Sequence, residues 1–123
     1  MPHKQLSNFR ILVVEDEYLL ADDLRTELED VGATVLGPVG ALSEAIAISS
    51  SDIDIDGAIL DTNLGGEFVF SAAQLLVDRG VPIVFTTGYD ASAIPASFRK
   101  FPRCEKPISM AQVIATIMNE IHR

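Results

Sequence analysis

The sequence predicts a single α/β domain in which a five-stranded parallel sheet lies between two layers of helices. Short apolar runs alternate with segments whose apolar residues recur at helical spacing, and five such strand–helix units fit into 123 residues. The run Ala58-Ile59-Leu60 contains no polar residue, which is typical of a strand buried on both faces, as in parallel sheets. A chain of this length forms one core but not two.

The first half of the chain contains three predicted strands and two predicted helices. The strands are Arg10 to Val14, Thr34 to Val39, and the apolar run that ends at Asp61. The helices are indicated by Leu20, Leu24, Leu28 and Val31 at helical spacing, and by the segment 42–50. Gly37-Pro38 interrupts the second strand and favours a short or edge position for it. Residues 1–9 are predicted to be a flexible leader, so that the domain spans residues 10–123.

The second half contains three more helical segments and two more strands. A third helix follows Gly65-Gly66 and carries Val69, Ala72, Ala73 and Leu76 on one face. The fourth strand is Val81 to Thr87, and a brief extended piece runs from Pro102 to Glu105. Between them, Asp90 to Phe98 has room for only a short or irregular fourth helix, because Pro95 limits it. The last helix is capped by Ser109 and Gln112, and its apolar stripe consists of Met110, Val113, Ile114, Ile117, Met118 and Ile121.

Composition and charge exclude several classes of protein. A hydrophobic content of 48% excludes a disordered acidic tail, although the net charge is −9. That charge argues against binding to nucleic acid or to an anionic membrane surface, and it suits a protein that holds a divalent cation. The single cysteine, Cys104, forms no internal disulfide and fits a reducing compartment. No apolar run has the roughly 18 residues of a membrane span. We therefore expect a cytoplasmic protein without a nucleic-acid or membrane partner.

Polar side chains follow four of the five strands at their carboxyl ends. They are Glu15 and Asp16 after the first, Asp61 after the third, Thr86 and Thr87 at the end of the fourth, and Lys106 after the fifth. Because the carboxyl ends of parallel strands meet at one edge of a doubly wound sheet, we expect these groups to lie close together. Each of them alone is also what an ordinary turn or helix start contains.

The expected cluster of carboxylates has a chemical consequence. Two carboxylates about 4 Å apart repel by roughly 4 kcal/mol at an effective dielectric constant near 20, so a cation is needed to hold three together. Oxygen ligands too few for a closed cage suit Mg²⁺, which keeps several waters. Lys106 and Thr87 then remain free to bind an anion. Together these groups predict a phosphoryl-transfer site with an aspartate nucleophile.

This ordered set of residues resembles the receiver domain of two-component response regulators over nearly the whole chain. The family's marks are the acidic pair after the first strand, the aspartate after the third, the threonine ending the fourth, and Lys106-Pro107 after the fifth. The segment Phe85 to Tyr89 is similar to the Phe-Ala-Thr-Gly-Tyr motif of one subgroup, with Thr86 in place of alanine. The resemblance implies a flavodoxin-like fold with strand order 2-1-3-4-5 and helices on both faces of the sheet.

The resemblance also implies roles for the residues that transfer the phosphoryl group. Asp61 would accept it from a phosphohistidine of a sensor histidine kinase or a phosphotransfer protein, as in a phosphorelay. Thr87 would close on the phosphoryl oxygens, and Lys106 would pair with them. Thr87 is chosen over Thr86 because it precedes the small residue Gly88, as the switch hydroxyl does in the family.

A second group of roles concerns the metal and the lifetime of the phosphoaspartate. The resemblance implies Mg²⁺ as the cofactor, with Glu15, Asp16 and Asp61 as ligands together with the main-chain carbonyl of Asn63, whose side chain stays free. Asn63 and Tyr89 would flank the path of an attacking water and so set the rate of dephosphorylation.

One departure from the family's pattern concerns its switch aromatic. The family usually has an aromatic residue three positions before the lysine, where this chain has Arg103. Tyr89 or Phe101 is a candidate to replace it. We therefore expect an output face that differs from the common one.

The resulting hypothesis is a stand-alone phosphoacceptor protein that is not an enzyme beyond its own phosphorylation and dephosphorylation. It would signal through protein–protein contacts or act as a phosphate sink. One alternative is a receiver-shaped binding module that phosphorylation does not regulate. The other is a flavodoxin-like flavin-binding protein, which would need a phosphate-binding loop where Glu15, Asp16 and Glu17 would instead repel a phosphate.

Overall fold

The computed structural model describes residues 6–88 and 93–123. Within these residues the strands are β1 (Arg10–Val14), β2 (Thr34–Val39), β3 (Gly57–Asp61), β4 (Asn63–Leu64), β5 (Glu67–Phe68), β6 (Ile83–Thr87) and β7 (Arg103–Glu105). The α-helices are α1 (Tyr18–Asp30), α2 (Leu42–Ser49), α3 (Phe70–Asp78) and α4 (Met110–Ile121). None of the helices in the described ranges has both the length and the apolar character needed to cross a bilayer.

Five of the strands form one parallel sheet in the order β2-β1-β3-β6-β7. Counted among these five strands alone, this is the order 2-1-3-4-5, so the predicted flavodoxin-like topology is confirmed. The two remaining strands, β4 and β5, pair with each other in a small antiparallel hairpin between β3 and α3. The sequence analysis did not predict this hairpin.

The core consists of two apolar layers, one on each face of the sheet. Helices α2 and α3 cover the face that includes Leu60 and Phe85. Helices α1 and α4 cover the opposite face, which includes Ile59 and Val84. Since successive side chains of a strand alternate between the two faces, β3 is buried throughout and needs the continuous apolar run seen in its sequence.

Both edges of the sheet are short or interrupted strands. β2 lies at one edge, as Gly37-Pro38 predicted, and its pairing with β1 is irregular there. Gly37 has a φ of +91°, and a Cβ atom on it would lie 2.7 Å from Val39 N, so only glycine fits this position. At the other edge, β7 has only three residues.

The part of the predicted flexible leader that the structure describes, residues 6–9, is attached to the domain at Leu6. Leu6 is fully buried in the layer formed by α1 and α4. Its main-chain N–H donates to Val31 O at 2.9 Å, which ties it to the end of α1. The burial of one leucine side chain outweighs the polar character of its neighbours. Residues 1–5 lie outside the described residues.

The segment between β6 and β7 contains no α-helix among its described residues, 88 and 93–102. A single turn of 3-10 helix, Ala96–Phe98, directly follows Pro95. The described part of the predicted segment, residues 93–98, therefore agrees with a short or irregular fourth helix, and residues 90–92 lie outside the described residues. The cap of the last helix is also present, because Ser109 Oγ accepts a hydrogen bond from Gln112 N at 3.2 Å.

Candidate functional site

Three carboxylates meet at the carboxyl edge of the sheet. Glu15 and Asp16 follow β1, Asp61 ends the neighbouring strand β3, and one oxygen from each lies within 4.8 Å of the others. Glu15 and Asp61 are buried, with only 3% and 4% of their surface exposed, whereas Asp16 is open to solvent. The predicted convergence of these strand ends is thus present in the structure.

Lys106 places an ammonium group in the same cluster. Its main-chain N–H donates to Thr87 O at 2.7 Å, which holds the residue against the end of β6. Its Nζ atom donates to Asp61 Oδ2 at 2.8 Å and lies 3.2 Å from Glu15 Oε1. One cation therefore faces two buried carboxylates, which leaves a net negative charge beside Asp16.

The protonation of these groups reflects burial and mutual charge. Burial is the largest influence on Glu15, and together with the nearby charge of Asp61 it raises the pKa of Glu15 to about 7. Burial alone would lower the pKa of Lys106, but the hydrogen bond and charge of Asp61 and the charge of Glu15 raise it. The ammonium therefore stays charged, while Glu15 ionises near neutral pH.

The donor set of the cluster fits a hard divalent cation. The site presents only oxygen atoms to such an ion, and Asp16 is open to the waters that Mg²⁺ retains. Glu15 Oε1 is buried and has no hydrogen-bond partner among the described residues, although Lys106 Nζ lies 3.2 Å from it. A buried carboxylate oxygen without a partner is costly, and a bound cation would compensate it.

Asn63 is attached to the cluster through its main chain. Its N–H donates to Asp61 Oδ1 at 3.1 Å. Its side-chain Oδ1 accepts a hydrogen bond from Gly66 N at 2.7 Å, within the turn of the β4–β5 hairpin. The turn of the hairpin therefore uses the side-chain oxygen of Asn63, and the ligation of a metal by its main-chain carbonyl stays a prediction. Tyr89, the other residue expected to set the dephosphorylation rate, lies outside the described residues.

The two adjacent threonines of β6 point to opposite faces of the sheet. Asp61 is in register with Thr86, so these two share the face covered by α1 and α4. Thr87 is on the other face, where its hydroxyl donates to Gly88 O at 3.3 Å. The Thr86 hydroxyl is buried and has no hydrogen-bond partner within residues 6–88 and 93–123. Thr87 thus lies at the same edge of the sheet as the acids, but its hydroxyl is hydrogen-bonded to the neighbouring residue, Gly88.

A row of phenylalanines lies on the Thr87 side of the sheet. The ring of Phe98 stacks on Phe70 at a centroid distance of 5.3 Å, and Phe70 stacks on Phe68 at 5.9 Å. Beside them, a cavity of about 310 Å³ is bounded by the hairpin, α3 and the end of β6. Arg103, the residue at the usual position of the switch aromatic, is exposed on β7, and Phe101 packs against Phe98 at 6.1 Å.

The β4–β5 hairpin is the part of the site that sequence reasoning missed. Its signal was present, because Gly65-Gly66 lies between two short segments that pair across it, and two consecutive glycines are a known hairpin turn. The strands are only two residues long, so neither shows the alternation that identifies a strand.

Comparisons with known proteins agree with this fold. No protein-family model matches the chain. The phyllosphere-induced regulator PhyR of Methylorubrum extorquens is 32% identical over 115 residues, and the match covers 87% of this chain and 41% of PhyR. The chain thus spans less than half the length of that curated relative.

Two solved structures cover nearly the whole chain. A response regulator receiver protein from Sinorhizobium medicae is 26% identical, with a TM-score of 0.81, and the match covers 95% of this chain and 97% of that one. SdrG from Sphingomonas melonis is 36% identical, with a TM-score of 0.73, over 94% of this chain and 98% of SdrG.

The fold, the cluster of acids and these similarities define a class of signalling protein. The chain belongs to the response-regulator receiver-domain family. Family membership removes the flavin-binding alternative.

Proposed function

We propose that this receiver domain is a Mg²⁺-dependent phosphoacceptor and that Asp61 is the acceptor. The observation that carries the proposal is the environment of that carboxylate. It is buried at the end of the central strand, paired with Lys106 at 2.8 Å, and grouped with Glu15 and Asp16 within 4.8 Å. This combination of an acceptor oxygen, a cation for the phosphoryl group and oxygen ligands for a metal is what phosphoryl transfer to an aspartate requires.

The reaction is a transfer from a phosphohistidine of a sensor histidine kinase or a phosphotransfer protein. A carboxylate oxygen of Asp61 attacks the phosphorus atom, and an acyl phosphate forms. The nitrogen–phosphorus bond breaks, and its electron pair remains on the imidazole, which takes up a proton. Lys106 stays beside the phosphoryl oxygens, and the hydroxyl of Thr87 turns from Gly88 O to donate to one of them.

Glu15, Asp16 and Asp61 would hold the magnesium ion together with the main-chain carbonyl of Asn63. The ion supplies positive charge that neutralises the phosphoryl oxygens during transfer. The fit of the site to such an ion is supported by the unpartnered Glu15 Oε1 and the solvent-open Asp16. Asn63 and Tyr89 would tune the rate at which water hydrolyses the phosphoaspartate.

The output of the domain is proposed to be a change in protein–protein contacts, or removal of phosphoryl groups as a sink. Its only catalysis would be its own phosphorylation and dephosphorylation, in the cytoplasm. One structural neighbour, PhyR from Bartonella quintana, is described as an anti-anti-sigma factor. It is 21% identical with a TM-score of 0.79, and the match covers 51% of that chain. That likeness concerns the fold alone.

The test is the intact mass of the protein after incubation with acetyl phosphate and Mg²⁺. We expect a gain of one phosphoryl group, about 80 Da, that is absent from Asp61→Asn and absent when EDTA is added. A purified histidine kinase carrying labelled phosphate provides the second donor. Failure of both donors to label the wild type would contradict the proposal and favour a binding module that phosphorylation does not regulate.

A further inference from the structure

The β4–β5 hairpin is fixed to the proposed phosphoacceptor rather than free in solvent. Its first residue, Asn63, donates its N–H to Asp61 Oδ1 at 3.1 Å and accepts from Gly66 N at 2.7 Å through its side chain. Leu64 is buried in the layer under α2 and α3. Phe68 at the other end stacks on Phe70. The turn between the two strands therefore has a defined position relative to the acids.

That turn approaches the solvent-open carboxylate of the cluster. A Cβ atom on Gly65 would lie 3.7 Å from Asp16 Oδ2, and in the described part of the chain no other atom outside the adjacent residues lies within 4 Å of it. A Cβ atom on the next residue, Gly66, would meet nothing within 4 Å. The two glycines are thus different: both have positive φ, +61° and +101°, but only Gly65 faces the site.

A methyl group at Gly65 would make van der Waals contact with a carboxylate oxygen that the proposed function assigns to the metal. Mg²⁺ dehydrates reluctantly and keeps several waters in a near-ideal octahedron. A carbon atom against Asp16 Oδ2 would therefore compete with a water on that side of the ion. Ca²⁺ accepts more varied coordination and is less sensitive to such a loss.

We propose that Gly65 is a specificity-determining residue of the cation site: with no side chain, it leaves room beside Asp16 for a hydrated Mg²⁺. The inference rests on the proposed magnesium site. It assigns to the hairpin a role in setting the affinity for the ion and the preference for Mg²⁺ over Ca²⁺. The hairpin would thus form one side of the cation site.

Gly80 offers a matched control for the backbone effect. It has a φ of +75°, close to that of Gly65, and a Cβ atom there would meet nothing within 4 Å. It follows the end of α3, far along the chain from the acids. Alanine at either position incurs the penalty of a left-handed conformation, but only alanine at Gly65 would contact Asp16.

The experiment is titration of the full chain with Mg²⁺ and with Ca²⁺, followed by amide NMR shifts of Glu15 and Asp16. We expect Gly65→Ala to raise the Kd for Mg²⁺ about tenfold and the Kd for Ca²⁺ less, while Gly80→Ala stays within twofold of wild type. Melting temperatures of the two variants, recorded with EDTA, should fall by similar amounts.

Three results would overturn the inference. They are an unchanged Kd for Mg²⁺ in Gly65→Ala, an equal rise of this Kd in both variants, and an unchanged ratio of the Kd values for Mg²⁺ and Ca²⁺ in Gly65→Ala. Wild-type protein that binds no Mg²⁺ would instead overturn the proposed function as well. If the alanine variants do not fold, Gly65→Asn and Gly80→Asn replace them, since asparagine enters the left-handed region more readily. The ratio of the Kd values for Mg²⁺ and Ca²⁺ should then change in Gly65→Asn and stay unchanged in Gly80→Asn.

Discussion

Lys106 Nζ lies 2.8 Å from Asp61 Oδ2, although the two residues are 45 positions apart in the chain. Strand β6 separates the two strands that lead to them, so the lysine side chain reaches across the end of a whole strand. The same ammonium also faces Glu15. Without a metal, Lys106 is therefore the cation that faces both buried acids in the described part of the chain.

Removal of this ammonium should destabilise the metal-free protein. We expect Lys106→Met to lower the free energy of unfolding by about 2 kcal/mol in EDTA, because two buried carboxylates lose their partner. Saturating Mg²⁺ should restore most of the loss. The measurement is urea unfolding with and without the ion. Arg25→Met is the control, since Arg25 pairs with Asp22 and Glu29 at the surface, and no resolvable change is expected there. Equal effects of the two substitutions would contradict the assignment.

The raised pKa of Glu15 predicts a dependence of stability on pH. The folded state holds the Glu15 proton up to about pH 7, whereas the unfolded chain releases it near its ordinary pKa of 4.5. The free energy of unfolding should therefore fall as the pH rises between these values, by at most about 3 kcal/mol. The check is chemical unfolding in EDTA from pH 4 to pH 8, taken as the difference between wild type and Glu15→Gln. A difference that stays flat, or that grows with pH, would refute the prediction. Added Mg²⁺ should weaken the trend, because it favours the ionised carboxylate.

The two threonines of β6 should respond differently to loss of the hydroxyl. Thr86→Val removes a buried hydroxyl that has no partner and keeps the shape of the side chain. We expect it to stabilise the protein by about 1 kcal/mol and to leave labelling by acetyl phosphate unchanged. Thr87→Val should instead slow labelling at least tenfold, since it removes a donor to the phosphoryl oxygens. Initial rates of labelling, measured by intact mass, and unfolding curves of the two variants test these expectations. The reverse pattern would assign the proposed role to Thr86.

The phenylalanine row predicts a contrast between a buried and an exposed ring. Phe98 is 7% exposed and contacts Phe70, Phe85 and Phe101, whereas Phe68 is 49% exposed at the end of the hairpin. We expect Phe98→Ala to lower the free energy of unfolding by about 3 kcal/mol, and Phe68→Ala to lower it by less than about 1 kcal/mol. Thermal and urea unfolding measure both. Similar costs would mean that the 3-10 turn does not anchor the segment between β6 and β7.

The acids and the lysine of the site were predictable because topology alone brings them together. Once five strand–helix units are recognised, Glu15, Asp61 and Lys106 must meet at one edge, whatever the details of packing. The prediction of an edge position for β2 had the same basis, since proline at position 38 cannot donate to a central ladder.

The features that escaped prediction depend on single side chains in three dimensions. The burial of Leu6 depends on its packing against the layer of α1 and α4, which no local pattern encodes. The hairpin depends on a side-chain oxygen of Asn63 that takes a turn N–H. The engagement of the Thr87 hydroxyl by Gly88 likewise follows from the geometry at the end of β6 rather than from its sequence.

The two edges of the sheet limit how other chains can associate with this domain. Pro38 has no N–H to offer to an incoming strand, and β7 exposes the backbone of only three residues. Neither edge offers a long uninterrupted strand to an extended segment from another protein, which disfavours β-sheet growth between copies. Helices and loops are then the surfaces through which other proteins would associate with the domain.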